Sequence, residues 1–118
     1  MKKIALLVAL LIAGCSNSPK TLHVAYNGNA VNEKLHLAKG DVVMIDTTVP
    51  IGTRVLIEVY PNNNVDANNL TFTSSMENAS PNRQGKFVDQ MFTGANPGWV
   101  SYTFTGDKAA DVVFNLHP

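Results

Sequence analysis

Apolar and polar side chains alternate with a period of two along most of this chain, and that pattern limits its fold more than any other feature. A period of two places successive side chains on opposite faces of a strand, so that one face can be buried. No window of a dozen residues after position 20 shows apolar positions at helical spacing. The chain is therefore predicted to be all β. The apolar runs are Leu22, Val24 and Tyr26; Leu35 and Leu37; Val43 and Ile45; Val55, Ile57 and Val59; Leu70 and Phe72; Val100, Tyr102 and Phe104; and Val112, Phe114 and Leu116.

Clusters of asparagine, glycine, proline and aspartate separate these runs and indicate turns. About seven to eight strands at regular spacing favour a small antiparallel β-sandwich. The end of the chain is predicted to be a hairpin, in which 98–106 leads through a turn at 107–109 into 111–116. This pattern resembles the closing strands of bacterial immunoglobulin-like sandwiches, which implies that fold but no particular function.

The amino terminus carries a short positive segment and then an apolar run. Lys2 and Lys3 precede ten apolar residues, 4–13. Such a run is too short to cross a bilayer as a helix, which takes about 20 residues. The order is typical of a secretory signal peptide. Residues 11–15, with the sequence LIAGC, resemble the lipobox of bacterial lipoproteins.

This resemblance implies that the chain is cleaved between Gly14 and Cys15 and that the Cys15 sulfur carries a diacylglycerol. The chain then divides into a signal peptide (1–14), a lipidated cysteine with a short tether (15–20) and a β-sandwich domain (21–118). Two or three acyl chains hold a protein on a bilayer, whereas one holds it only marginally. Ser16 follows the cysteine instead of aspartate, which by this resemblance favours the outer membrane in a Gram-negative cell, with the domain facing the periplasm. In a Gram-positive cell the same anchor would lie on the outside of the cell membrane.

Charge and cysteine content exclude several classes of protein. Removal of the first 14 residues leaves seven basic and nine acidic side chains, a net charge of −2. A mildly acidic domain is neither a strongly basic nucleic-acid binder nor attracted to anionic lipid, so the acyl chains alone would hold it at the membrane. Because Cys15 is the sole cysteine, the chain forms no internal disulfide and no zinc site built of several thiolates.

The sequence predicts neither catalysis nor a cofactor. It has no Gly-x-Ser-x-Gly, Ser-x-x-Lys or His-Glu-x-x-His motif and no glycine-rich phosphate loop. His23, His36 and His117 lie at the polar parity of their strands. If the first two strands pair, His23 and His36 face each other. Imidazole and methionine thioether groups both suit copper, so a copper site formed with nearby methionines is a weaker alternative to the absence of a metal site. No close pair of ligands supports it, so no metal site is predicted.

One cluster of side chains suits protein binding. Aromatic residues and arginine dominate the energetics of protein interfaces. Residues of this kind fall in the irregular stretch 80–98 and just after it, and the predicted partner-binding residues are Arg83, Lys86, Phe87, Phe92 and Trp99. The alternative is that the aromatic members belong to the core.

These observations predict a lipid-anchored, non-enzymatic module that binds another envelope protein or stabilises an envelope assembly. A second hypothesis is a periplasmic inhibitor of a hydrolase, either a peptidase or a lysozyme, which places its loops in the active-site cleft. A third and weaker hypothesis is a carrier of copper or another metal.

Overall fold

Alternating residues form strands throughout the described part of the chain. The computed structural model describes residues 19–62, 67–75, 82–94 and 100–118, which contain nine strands and one 3-10 helix, Ala67–Asn69. The strands are β1 (Thr21–Tyr26), β2 (Val31–Leu37), β3 (Val42–Thr47), β4 (Arg54–Pro61), β5 (Thr71–Ser74), β6 (Asn82–Gln84), β7 (Phe87–Phe92), β8 (Val100–Phe104) and β9 (Ala110–His117).

The strands form two sheets packed face to face, so the predicted all-β sandwich is confirmed. One sheet has four strands in the order β2-β9-β4-β7, and the other has five in the order β1-β3-β8-β5-β6. One pair departs from the antiparallel expectation, because β1 and β3 are parallel, with Thr21 opposite Val42. The reason is that β2 crosses to the other sheet, so the chain returns through β3 in the direction of β1.

The predicted hairpin at the end of the chain is wrong. β8 and β9 belong to different sheets, and the segment 105–109 crosses between them. Both strands present a buried face, and these faces pack against each other instead of sharing a ladder of hydrogen bonds. Gly106 makes this crossing tight, since a Cβ there would meet the Asn69 carbonyl oxygen and would lie 2.6 Å from the Phe104 ring.

Two strands, β6 and β7, lie in the stretch 80–98 that the sequence marked as irregular. β7 has the sequence FVDQMF, with apolar side chains on both faces. The alternation of apolar and polar residues that marks the other strands is therefore not visible in its sequence. The chain enters it from β6 through Gly85 and Lys86, changing from the five-stranded sheet to the four-stranded one.

Aromatic rings from both sheets fill the middle of the core. Phe72 lies 5.4 Å from Phe104 and packs edge-on against Phe114 at 5.9 Å and Tyr102 at 6.4 Å between ring centroids. Burial of a side chain of this size stabilises a fold by about 1.5–3 kcal/mol relative to leaving it exposed. The core therefore consists of side chains at the apolar positions that the sequence identified. Facing strands of the two sheets contribute these side chains.

In the described ranges, no helix has both the length and the apolar character needed to span a membrane. The predicted signal peptide, with Gly14 and Cys15, lies outside those ranges, as does Trp99. The described chain begins at Pro19 and Lys20, immediately before β1.

Candidate protein-binding surface

An edge strand, β7, exposes apolar side chains to solvent. It lies at one end of the four-stranded sheet and pairs only with β4 among the described strands. Phe87, Asp89 and Met91 face the interior, whereas Val88 and Phe92 face outward and are 52% and 61% exposed. Large exposed apolar groups on a small domain favour contact with a partner.

A turn between β3 and β4 adds a third apolar side chain, Ile51, which is 71% exposed. Hydrogen bonds fasten this turn to Thr93, the residue after β7. The Gly52 N–H donates to the Thr93 carbonyl oxygen at 2.9 Å, and the Thr93 hydroxyl donates to the Pro50 carbonyl oxygen at 2.7 Å. Gly52 adopts φ of +87°, which glycine tolerates and larger residues avoid. Ile51 is thereby held at the end of the sandwich where β7 ends.

Ile51, Val88 and Phe92 form what we call the apolar edge. Within the described residues they are the large hydrophobic side chains that are exposed. Together they extend along the outward side of β7 and onto the neighbouring turn.

Charged side chains border the apolar edge. Arg54, at the start of β4, is exposed and lies directly opposite Phe92 in the register of the two strands. Across the described ranges, no carboxylate lies within ion-pair distance of its guanidinium. Lys86 is exposed at the other end of β7. The end of the edge near Phe92 therefore presents a free positive charge.

Glu58 is the acidic residue of β4 and lies on its outward face, opposite Val88. Its Oε1 accepts a hydrogen bond from the Asn115 amide at 2.7 Å, and its Oε2 lies 3.4 Å from His117 Nε2. The bonds from Asn115 and His117 lower the pKa of Glu58 below its ordinary value. This carboxylate is thus ionised and already engaged by β9.

An internal polar bridge supports β7 from behind. The Asp89 carboxylate is buried, accepts a hydrogen bond from the Tyr102 hydroxyl at 2.6 Å and lies 3.1 Å from Arg83 Nε. Arg83 and Tyr102 belong to the five-stranded sheet, so the bridge joins the two sheets at this edge. Burial, and then the hydrogen bond to Asp89, raise the pKa of Tyr102, so its hydroxyl stays protonated and donates.

The structure separates the predicted partner-binding residues into three groups. Phe92 and Lys86 are exposed. Arg83 is turned inward to Asp89, and Phe87 packs against the core at 5.7 Å from the Tyr102 ring. Trp99 is not among the described residues.

Sequence reasoning missed Ile51, Val88 and Arg54. Val88 had a detectable signal, because it is apolar at the parity opposite to Phe87. Ile51 stands alone between a proline and a glycine, and Arg54 is an ordinary charged strand residue, so neither was distinguishable without the fold.

The histidines do not meet, which corrects the geometric premise of the copper hypothesis. β1 and β2 belong to different sheets, and His23 and His36 project from opposite faces of the sandwich. Each pairs with a carboxylate instead, at 2.8 Å to Asp46 and 2.7 Å to Asp111. Nowhere in the described ranges do three or more histidine, cysteine or acidic side chains gather in a way that suits a metal ion.

Comparisons with known proteins give one structural likeness. No known family and no curated protein matches the sequence. The fold is similar to the crystal structure of Aeromonas hydrophila PliG, a periplasmic lysozyme inhibitor of g-type lysozyme, with a TM-score of 0.55 and 10% sequence identity. The match covers 85% of this chain and 98% of that chain. At this identity the likeness defines a class of fold, a small two-sheet sandwich, and nothing narrower.

Proposed function

We propose that this protein is a lipid-anchored protein of the bacterial envelope that binds another protein and has no catalytic activity of its own. The observation that carries this proposal is the apolar edge, which is exposed on a domain whose other large hydrophobic side chains are buried or half-buried wherever the structure describes them. Partner binding would remove this surface from water, and apolar burial is the main favourable contribution to protein association.

The anchor is part of the proposal and rests on the sequence of residues 1–15. A diacylglycerol on Cys15, with a further acyl chain on the new amino group, would hold the domain on the outer membrane facing the periplasm. The likeness to a periplasmic protein supports this side of the envelope.

Processing of the precursor tests the anchor. Cells that make the wild-type chain should convert it to a shorter, membrane-associated form, and globomycin or Cys15→Ala should leave the uncleaved precursor. Mass spectrometry of the mature protein should show a modified amino-terminal cysteine. A free thiol on an intact leader would contradict the proposal.

For the partner, we propose a lysozyme, which makes the protein a hydrolase inhibitor. The similarity to PliG favours this over other partners, because the match spans 98% of that chain.

A lysis assay tests this assignment. The lipidated protein, purified in a mild detergent, should slow the clearing of a peptidoglycan suspension by a g-type lysozyme, and the detergent alone should have no effect. A protein that leaves g-type, c-type and i-type lysozymes equally active at micromolar concentration would refute the inhibitor assignment. If mild crosslinking in cells then captured a non-lysozyme envelope protein through the apolar edge, the broader proposal of a protein-binding module would stand.

A further inference from the structure

The tether lies at the end of the sandwich opposite to Ile51 and Phe92 of the apolar edge. Lys20 immediately precedes β1, and Asp41 immediately precedes β3, which runs parallel to β1. Both strands therefore start at the same end and run toward the turn that holds Ile51. With a rise of about 3.3 Å per residue, a six-residue strand separates the two ends by about 20 Å.

Asp41 fixes the tether to its end of the domain. This buried carboxylate accepts hydrogen bonds from the Lys20 backbone N–H at 3.1 Å, the Lys20 ammonium at 2.9 Å and the Ala38 backbone N–H at 2.8 Å. Through these bonds the beginning of the domain is held against the loop that precedes β3, so the chain leaves the sandwich from a defined position.

The short tether keeps that end near the membrane. Cys15 stands five residues before Lys20, and an extended chain spans at most about 3.5 Å per residue, so a lipid on Cys15 would lie within about 18 Å of Lys20. The end with Ile51 and Phe92 then points away from the bilayer. An apolar surface held there meets soluble proteins and not the anchoring membrane.

The chemistry at this distal end fits an acidic, partly apolar cleft. Arg54 lies between two exposed apolar side chains, with Phe92 beside it in the sheet and Ile51 in the turn before it. An arginine flanked by apolar groups is typical of interface hot spots, and a guanidinium can bind a carboxylate with two parallel hydrogen bonds. Glycoside hydrolases carry a pair of carboxylates across their cleft.

From this geometry we propose that Arg54, Ile51 and Phe92 dock into the active-site cleft of the lysozyme, with the Arg54 guanidinium on its carboxylates. This inference rests on the proposed inhibitor function and adds the surface, the chemistry of the partner's site and the orientation on the membrane.

The test compares three full-length lipidated variants with the wild type in the lysis assay. Arg54→Glu should weaken inhibition of a g-type lysozyme by at least about 30-fold, because it places a carboxylate against carboxylates. Phe92→Ser should weaken it by about 10-fold or more. Lys34→Glu makes the same change of charge on β2, at the opposite edge of the same sheet, and should leave inhibition within about 2-fold of the wild type.

A second arm changes the enzyme. Replacing the catalytic acid of the lysozyme by its amide should weaken its binding to wild-type protein and have little effect on its binding to the Arg54→Glu variant. Thermal unfolding should be within a few degrees of wild type for every variant, since all three positions are exposed.

The outcomes separate the two proposals. If the wild type inhibits and the Arg54 and Phe92 variants inhibit equally well, the docking surface is refuted and the inhibitor function stands. If the wild type inhibits no lysozyme, both are refuted. If Phe92→Ser instead converts a dimer to a monomer in sedimentation and inhibition is unchanged, the distal end binds a second copy of this chain, and the docking inference is overturned.

Discussion

Replacing Asp89 with asparagine tests whether the internal polar bridge holds β7, and with it the apolar edge, onto the sandwich. The substitution keeps the shape of the side chain and keeps an oxygen that can accept the Tyr102 hydrogen bond, but it removes the negative charge. The Arg83 guanidinium, whose Nε lies 3.1 Å from Asp89 Oδ1, then no longer has a carboxylate at this position. The effect measured is therefore mainly the loss of the ion pair between Arg83 and Asp89.

The exposure of the pair sets the size of the effect. The side chains of Arg83 and Asp89 are 11% and 10% exposed, so water replaces little of what is lost. Removing one partner of a buried ion pair costs about 3–5 kcal/mol. Arg83 also donates to the Asn82 carbonyl oxygen at 3.1 Å, which favours the lower limit, about 3 kcal/mol. For a domain of this size, with a shift of about 4 °C per kcal/mol, the melting temperature should fall by about 12 °C.

Thermal unfolding followed by circular dichroism measures this shift. Asp107→Asn is the matched control, because Asp107 also pairs with a cation, Lys39, at 3.1 Å but is 88% exposed. An exposed pair contributes little, so the control should melt with the wild type. A fall of less than about 4 °C for Asp89→Asn would show that solvent or another group compensates Arg83, and the reasoning from burial would be refuted.

Two further predictions concern the end of the sandwich that holds the tether. Gly106→Ala should lower the free energy of unfolding by about 2 kcal/mol or more in urea titrations, because the new methyl group overlaps the Asn69 carbonyl oxygen and the Phe104 ring; an unchanged midpoint would contradict this. For Asp41, burial opposes ionisation, but hydrogen bonds from Ala38 and Lys20 more than offset it and lower its pKa below 3.8. Its stabilising effect is complete above that ordinary value and is lost as the pH falls through the lowered one. The stability difference between wild type and Asp41→Asn should therefore be larger at pH 7 than at pH 2.5, and a difference that does not change with pH would refute the assignment.

The strands and the core could be predicted from the sequence because burial repeats every second residue. Val55, Ile57 and Val59 are each fully buried, as their shared parity requires. The same pattern failed for β7, where apolar side chains occupy both faces. It marks Val88 and Phe87 as apolar at opposite parities, but only the fold shows which of the two faces solvent. Alternation identifies a buried face reliably when the other face is polar.

Strand pairing could not be predicted, because alternation says which face of a strand is buried but not which strand lies beside it. β8 and β9 follow each other closely and share the pattern of a hairpin, yet they face each other across the core. Similarly, Arg83 is polar and near aromatic residues in the sequence, which suggested a surface role. Its place beside Asp89 depends on β6 and β7 lying in different sheets.

The two edges of the four-stranded sheet differ in a way that bears on function. Edge strands invite pairing with other chains, and proteins usually protect them with charged side chains. β2, at one edge, exposes Glu33 and Lys34. β7, at the other edge, has one charged residue, Asp89, and the fold turns it inward to Arg83 and Tyr102. The six residues of β7 therefore present no charge to solvent, although one of them, Asp89, is a charged residue. A carboxylate used to join the sheets leaves this edge apolar, and an apolar edge on a free domain favours association. The arrangement is explained if a partner covers β7 during function.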